Sequence, residues 1–190
     1  MAMHLLRHRT IILIILQNPK YIENLAGVVR AAACFEDYNV IWTGSRIKEA
    51  QFRSMKGLSA GHYCSKKEHT MREFRHKDYQ SVVLSHSERP FDLIGNCIPV
   101  CVEFDGTEDL STFEHPANAA YVFGPEDGSV STAFKVLCHR FVRIPSKYCL
   151  NLAATVNIVL ADRTMKCVSK CGKYHQYDIP ENAPWRAIAF

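Results

Sequence analysis

Four polar side chains occupy positions from which they could take part in chemistry. Glu126 stands in a Gly-Pro-Glu turn after an apolar run, and Asn151 precedes an apolar, alanine-rich segment. Asn24 and Arg30 lie six residues apart in an earlier helical pattern. Carboxylate and amide groups can orient a substrate, and a guanidinium group can bind phosphate or stabilise a developing oxyanion. Taken singly, each of the four is also explained by a turn, a helix cap or a surface charge.

Alternating strand and helix patterns predict the scaffold that holds these residues. Short, continuously apolar runs indicate strands buried on both faces. They are Thr10–Leu16, Val40–Thr43, Ser81–Ser85, Ile98–Glu103, Ala120–Gly124 and Phe141–Ile144. Helical patterns lie between most of them, at Ile22–Glu36, Ile47–Met55, Met71–Arg75, Ser131–Cys138 and Leu150–Thr164. This order predicts an α/β fold with a mostly parallel sheet and helices on both faces.

The loops that leave the carboxyl ends of parallel strands are where such sheets bind ligands. The candidate loops are Gln17–Asn24, Gly44–Arg46, Ser85–Arg89, Gly124–Ser129 and Pro145–Asn151. The chain has no G-x-G-x-x-G after a strand, and it has no P-loop, G-x-S-x-G or H-E-x-x-H motif. The commonest α/β enzyme classes are therefore excluded.

Size and composition are those of one globular domain. The 190 residues are too few for two ordinary domains, and 47% are hydrophobic against 22% charged. A net charge of +4 permits a phosphate-rich partner without requiring one. The apolar run Ile11–Leu16 is too short to cross a membrane, and no cleavage site follows it. We interpret it as a buried strand and expect no membrane association.

Eight cysteines occur in a chain with enough apolar strands to fold without disulfides. Most lie in or beside predicted strands and helices, where cysteine packs as a small apolar residue. This pattern favours a reducing, cytoplasmic location. Cys167, Cys171 and His175 have loosely ligand-like spacing, but structural zinc requires four ligands, so we predict no metal.

Three blocks along the chain form a spaced pattern. The first has Asn24 and Arg30, followed closely by alanine. The second is an apolar strand, then Gly-x-Glu and a further glycine, at 123–128. The third is Ile-Pro, a few residues, then Leu-Asn and a small-residue helix, beginning at 144. In order and context, these blocks resemble the SpoU/TrmH family of RNA ribose methyltransferases, within the SPOUT superfamily. The resemblance spans Ile11 to Arg163, most of the chain.

This resemblance implies S-adenosylmethionine as cofactor, without a metal, and transfer of its methyl group to a ribose 2′-hydroxyl of RNA. It implies a C-terminal deep trefoil knot, which is rare in proteins, and a homodimer formed through the helix of the third block. Compact family members frequently modify tRNA, so tRNA is the expected substrate and rRNA the alternative. Residues 1–168 are expected to form the methyltransferase domain, and 169–190 a tail that packs on the domain or on RNA.

The resemblance also assigns roles to residues. The expected catalytic group is Asn24, Arg30, Glu126 and Asn151, with Arg30 either removing the hydroxyl proton or clamping phosphate and the developing alkoxide. The residues expected to bind the cofactor are Ser85, Gly124, Ile144, Cys149, Leu150, Asn151 and Ala153. Cys149 stands where the family usually has serine, and a thiol is the weaker hydrogen-bond donor. We interpret it as a packing residue ahead of a nucleophile.

Basic residues around the expected cleft are candidates for RNA contacts: Arg46, Arg53, Lys56, Lys66 and Lys67. Two other interpretations stay open. One is a non-catalytic RNA-binding relative that has kept the fold, suggested by Cys149 and by the unusual tail. The other is an unrelated flavodoxin-like domain that binds a small phosphate ligand, has no affinity for S-adenosylmethionine and follows an unknotted path.

Overall fold

The computed structural model describes residues 11–35, 39–47 and 82–171, with side chains as far as residue 167. Within these residues, seven strands form one sheet. They are β1 (Ile12–Leu16), β2 (Asn39–Trp42), β3 (Leu84–His86), β4 (Ile98–Val102), β5 (Glu108–Asp109), β6 (Ala119–Phe123) and β7 (Arg140–Arg143). Their order is β3-β2-β1-β6-β4-β7-β5, and all of these pairings are parallel. The predicted α/β fold with a mostly parallel sheet is confirmed.

The centre of the sheet is formed by β1, β6 and β4, whose apolar runs are covered on both faces. Because side chains alternate across a strand, Ile14 and Leu16 face one layer, and Leu13 and Ile15 face the other. At the carboxyl edge, Phe123 is the register partner of both Leu16 and Val102. The loops that follow these three strands therefore start side by side.

The described helices are α1 (Ile22–Cys34), α2 (Thr132–Lys135) and α3 (Leu152–Cys171). α1 and α3 pack on the face that carries Leu16. α2 and a 3₁₀ helix at Pro90–Leu93 cover the other face, where Phe91 packs edge-on against Phe134. Helices on both faces are therefore confirmed. Three free cysteines are buried in this second layer, as expected for small apolar residues: Cys97, Cys101 and Cys138.

α1 and α3 touch where both present small residues. A Cβ placed on Gly27 would lie 2.8 Å from the Cβ of Ala153, closer than real Cβ contacts come. The glycine in the middle of α1 costs about 1 kcal/mol of helix propensity relative to alanine. The close approach of the two helices explains why glycine is nevertheless used there.

Two helix boundaries differ from the sequence-based expectation. The helix expected at Ser131–Cys138 is limited to α2, because the chain must return to the sheet, where the His139 N–H donates to the Pro99 carbonyl at 2.9 Å. The helix expected at Leu150–Thr164 is α3, which begins at Leu152 and continues to Cys171. It therefore runs across the domain boundary expected at residue 168.

Two strands at the edges of the sheet also differ. β3 lies a few residues later than the expected Ser81–Ser85, in register with β2 through Val40 and Leu84. β5 was not expected, because its two residues are acidic; Glu108 pairs with Arg140, and Asp109 pairs with Arg143 at 2.8 Å. The helices expected at Ile47–Met55 and Met71–Arg75 lie outside the described residues, Ile47 excepted.

Candidate active site

A cleft of about 360 Å³ opens at the carboxyl ends of β4, β6 and β7. Sites for small ligands typically measure roughly 300–1,000 Å³. Four residues expected to bind a cofactor line it, namely Gly124, Ile144, Cys149 and Leu150. Glu126, expected to be catalytic, lies on the same wall. The second and third sequence blocks therefore meet at one concave site.

Gly124 lets the backbone after β6 fold tightly against the residues that follow. A Cβ at this position would lie 2.7 Å from the amide nitrogen of Val130 and 2.9 Å from the carbonyl carbon of Ser129. Both are backbone atoms, which cannot move aside as the end of a flexible side chain can. A side chain at residue 124 would therefore displace the wall of the cleft.

Glu126 caps α1 from a different loop. Its carboxylate accepts hydrogen bonds from the backbone N–H groups of Lys20 at 2.7 Å and Tyr21 at 3.3 Å. Tyr21 is the N-cap residue of α1 and makes no side-chain capping bond. A carboxylate suits this position because the first N–H groups of a helix lack partners and carry a partial positive charge. Glu126 is thereby fixed at the rim of the cleft.

Asn24 links Glu126 to Asn151. The Nδ2 group of Asn24 donates to Glu126, and its Oδ1 accepts from Asn151 Nδ2 at 2.9 Å. Asn151 Oδ1 accepts in turn from the backbone N–H of Ala154 at 3.2 Å, which caps α3. Because an ionised carboxylate can only accept, Glu126 dictates which way the Asn24 amide points. Three of the four expected catalytic residues thus form one hydrogen-bonded chain.

Arg30 lies apart from that chain. It is exposed on α1 and makes no hydrogen bond or ion pair with another described residue. Helix geometry explains the separation, because two steps of three residues turn the side-chain direction by about 120° and advance it by about 9 Å. Asn24 therefore faces Glu126, Gly27 faces α3, and Arg30 faces solvent.

Three residues expected to bind the cofactor do not line the cleft. Ser85 lies within β3, three strands away from β6 in the sheet order. Ala153 packs against Gly27 between the two long helices. Asn151 stands beside the cleft, between the lining residue Leu150 and the first turn of α3. Ser85 is therefore distant from the cleft, Ala153 belongs to the contact between the two helices, and Asn151 lies at the rim of the cleft.

The end of β4 contributes lining residues that the sequence analysis missed: Val102, Glu103 and Phe104. Glu103 accepts hydrogen bonds from the backbone N–H groups of Val130 and, at 3.3 Å, Phe104, so it braces the turn behind Gly124. The strand predicted at Ile98–Glu103 is the sequence signal for these residues, because the loop that follows it also starts at the carboxyl edge of the sheet.

Cys149 is exposed in the loop before α3 and lines the cleft. Its thiol makes no hydrogen bond with another described residue. The loop is held instead by Ser146, whose hydroxyl group lies 2.9 Å from the Tyr148 carbonyl oxygen and 3.3 Å from that of Ile144. The shape of this loop therefore does not depend on the Cys149 side chain.

The described residues include no group of three or more His, Cys, Asp or Glu side chains that could hold a metal ion. Of the residues with ligand-like spacing, Cys167 is exposed, and the side chains of Cys171 and His175 lie outside the described part of the chain. In the ranges 11–35, 39–47 and 82–171, no helix is both long and apolar enough to cross a bilayer.

One of the basic residues expected to contact RNA is described. Arg46 follows β2 and forms an ion pair with Asp127 at 2.6 Å. The other candidates lie outside the described residues: Arg53, Lys56, Lys66 and Lys67.

A parallel sheet with a cleft and a polar hydrogen-bonded chain at its carboxyl edge defines an α/β protein with a candidate site for a small ligand. The sequence model of the SpoU rRNA Methylase family matches residues 11–161. The chain belongs to this family. No functionally curated protein matches it at a significant level.

Solved structures of SpoU and related methyltransferases share the fold. AviRb of Streptomyces viridochromogenes, a SpoU methyltransferase in complex with AdoMet, is 17% identical, with a TM-score of 0.62 over 84% of this chain and 62% of its own. An AdoMet-bound rRNA methyltransferase of Sinorhizobium meliloti is 16% identical, with a TM-score of 0.62 over 82% of this chain and 56% of its own. The TrmH/SpoU tRNA modifying enzyme of A. aeolicus is 13% identical, with a TM-score of 0.65 over 94% and 86%. The chain spans less than two thirds of the first two proteins.

Proposed function

We propose that this chain uses S-adenosylmethionine to methylate a ribose 2′-hydroxyl of RNA, with tRNA as the substrate. The observation that carries the proposal is the hydrogen-bonded chain of Glu126, Asn24 and Asn151 beside the cleft. It unites residues of all three sequence blocks at one rim. Family membership and the AdoMet held by two structural relatives support the same chemistry.

The residues that line the cleft suit the proposed cofactor in polarity and charge. Ile144 and Leu150 supply apolar surface for a flat ring, and the tight turn at Gly124 leaves main-chain groups on the wall. Two carboxylates on the wall, Glu103 and Glu126, favour a cationic ligand. When bound, the cofactor supplies an electrophilic methyl group on a sulfonium centre, and no metal is needed.

The rim then has to align the ribose oxygen with that methyl group, since correct alignment alone contributes several kcal/mol to such a reaction. In the proposal, Asn24, Glu126 and Asn151 keep the loops of the three blocks in place during this step. Arg30 either removes the hydroxyl proton or binds the substrate phosphate and stabilises the developing alkoxide. Its exposed guanidinium group suits contact with RNA.

A homodimer is part of the proposal. The exposed side of α3 presents an apolar stripe at helical spacing, formed by Ala154, Ile158, Ala161 and Met165, of which Ile158 is 38% and Met165 59% exposed. Ile158→Glu should shift the sedimentation of the protein from dimer to monomer, whereas Ala133→Glu on α2 should not. A wild-type monomer would contradict this part of the proposal.

The chain path and the tail complete the proposal. We propose that the C-terminal part forms the deep trefoil knot of the family, and the position of β7 between β4 and β5 supports a threaded path. In the proposal, residues 1–168 form the methyltransferase domain and 169–190 a tail on the domain or on RNA, and α3, which ends at Cys171, joins the two. An RNA substrate and free thiols favour a cytoplasmic location.

Calorimetric titration with S-adenosylhomocysteine tests the cleft. Wild type should bind near one site per chain, and Asn151→Ser should bind more weakly. Serine keeps a good helix cap for α3 and removes the amide that reaches Asn24, so this variant separates the rim from helix stability. No binding to wild type would remove the methyltransferase proposal. Binding without methyl transfer to any RNA would favour the non-catalytic alternative.

Labelled methyl transfer to separated tRNA and rRNA tests the substrate. A 2′-O-methyl group blocks the alkaline cleavage that needs a free 2′-hydroxyl, so the product should appear as alkali-resistant dinucleotides in tRNA. If the label appeared in rRNA and not in tRNA, the substrate would be rRNA instead of tRNA.

A further inference from the structure

Three charged side chains meet beside the loop that follows β6. The Asp127 carboxylate pairs with Lys20 Nζ at 3.3 Å and with the Arg46 guanidinium at 2.6 Å. The three side chains are between 38% and 42% exposed. Neither Lys20 nor Asp127 has a part in the function proposed above.

The backbone under these two cations is held independently of the ion pairs. The Asn18 N–H donates to Thr43 Oγ1 at 3.1 Å, which ties the loop after β1 to the loop after β2. Gly44 has a φ of 80° and packs against Asn18 so closely that a Cβ would lie 2.3 Å from its Oδ1. Its N–H donates to Glu88 at 3.1 Å. Both cations are therefore carried by loops of fixed geometry.

The charges do not balance within the group. Two cations face one carboxylate, so these three side chains carry one net positive charge, while the neighbouring Glu126 and Glu88 carboxylates accept hydrogen bonds from backbone N–H groups of the same loops. Arg46 first, and then Lys20, holds the pKa of Asp127 below its usual value, so the carboxylate stays ionised at neutral pH. Exposed ion pairs contribute little to stability. The stability of the fold is therefore a weak explanation for the meeting of three side chains from the loops after β1, β2 and β6.

The position relative to the rim is informative. Asp127 directly follows Glu126, whose carboxylate holds the backbone N–H of Lys20. The loop after β6 thus uses two neighbouring carboxylates. Glu126 holds the rim of the cleft, and Asp127 holds the two cations. In RNA, a phosphodiester is attached through O3′ to C3′, the carbon next to the one that carries the 2′-hydroxyl. A ribose at the rim therefore brings a phosphate within reach of long basic side chains.

We propose that Lys20 and Arg46 form a binding site for an RNA phosphodiester next to the methylated ribose, and that Asp127 is the positioning residue that aligns them. This inference rests on the proposed function. Holding both side chains before RNA arrives reduces the entropy lost on binding. The carboxylate of the cofactor offers the same anionic chemistry, and the experiment below separates the two sources.

The test measures unfractionated tRNA binding over a series of salt concentrations, without cofactor. Lys20→Gln and Arg46→Gln should each weaken tRNA binding. Each should also make the negative slope of log affinity against log salt shallower by about 0.7 to 0.9. Asp127→Asn should weaken binding although it adds positive charge, and Asp127→Glu should restore part of the loss. Affinity for S-adenosylhomocysteine and the melting temperature should not change.

Arg143→Gln is the matched control. Arg143 also pairs with an exposed aspartate, Asp109, but at the far edge of the sheet, four strands from β2. Its tRNA affinity and salt slope should equal those of wild type. An unchanged slope for Lys20→Gln and Arg46→Gln, or tighter binding by Asp127→Asn, would overturn the proposal. So would absent tRNA binding by wild type, or a loss confined to S-adenosylhomocysteine, which would identify the cofactor carboxylate as the anion.

A wild-type protein that binds no S-adenosylhomocysteine and transfers no methyl group would refute the proposed function alone. The salt slopes of the variants would still decide the phosphodiester site, since they are measured without cofactor.

Discussion

Asn24 Oδ1 lies 2.9 Å from Asn151 Nδ2, so a hydrogen bond joins two residues 127 positions apart in the sequence. Asn24 lies in the first turn of α1, and Asn151 caps α3. The positive ends of both helix dipoles therefore meet at the rim of the cleft, with the Glu126 carboxylate at one of them. Helix orientation and site geometry are coupled through these three side chains.

Asn24→Asp should break the chain, because aspartate cannot donate to Glu126 and places a second negative charge against it. We expect the free energy of unfolding to fall by about 1 to 3 kcal/mol and methyl transfer to be lost. Urea denaturation and a transfer assay measure both. Asn118→Asp is the control, since within the described residues the side chain of Asn118 uses only its oxygen, which accepts from the Ile11 N–H at 3.0 Å. A stable, active Asn24→Asp protein would show that the bridge is dispensable.

Gly27→Ala should destabilise the fold despite a gain of about 1 kcal/mol in helix propensity. The new methyl group would meet Ala153, and overpacking of this kind typically costs about 1–3 kcal/mol. Ala153→Gly in the same chain should relieve the contact, giving a favourable coupling energy of about 1 kcal/mol or more in a double-mutant cycle of denaturation curves. Strict additivity would mean that the helices do not meet at this pair.

Gly124→Ala should lower the affinity for S-adenosylhomocysteine at least about tenfold, because the methyl group displaces the backbone of Ser129 and Val130. Gly128→Ala, in the same loop, is the matched control. A Cβ at Gly128 has its nearest contact at 3.5 Å, with Pro125, an ordinary van der Waals distance. Calorimetry of both variants checks the prediction, and equal affinities would contradict it.

Cys149→Ser and Cys149→Ala should both retain methyl transfer within about threefold, because the thiol makes no bond with another described residue. Single-turnover assays with saturating cofactor measure this. If both variants bind S-adenosylhomocysteine normally but transfer no methyl group, Cys149 has a covalent role after all.

Stability should fall as the pH drops below about 6.5, the ordinary pKa of histidine. The side chain of His115 is only 5% exposed, and it hydrogen-bonds Tyr121 at 2.6 Å and Asp162 at 2.8 Å. Burial lowers its pKa more than the Asp162 bond raises it, and Arg163 and Lys166 lower it further. The unfolded chain therefore takes up the proton first, so the stability present above pH 6.5 is lost as the pH approaches the folded-state pKa. His115→Gln should flatten this dependence in urea titrations, and an unchanged slope would exclude His115.

The positions of Asn24, Glu126 and Asn151 could be predicted because each follows or opens a strongly patterned element. Apolar runs fixed the strand type, and parallel strands bring their following loops to one edge. The order of strands across the sheet is not contained in those patterns. Ser85 was therefore expected at the cleft although β3 lies three strands away, and the neighbouring end of β4, with Glu103, was missed.

The separation of Asn24 from Arg30 on α1 follows from their spacing, because a row of every third residue winds around the helix. The family resemblance groups the two residues, but helix geometry sends them to different surroundings. The short α2 and the acidic β5 were set by tertiary contacts, a return to the sheet and cross-strand arginines, which local patterns do not encode.

The acidic strand β5 has a consequence for self-association. A sheet edge with unpaired backbone groups can recruit strands from other chains, and short, charged edges prevent this. Here the edge is two residues long, and Arg140 and Arg143 bind both of its carboxylates. A second copy approaching from this side would have to desolvate two ion pairs to gain few backbone bonds. Growth of fibres through this edge is thereby disfavoured.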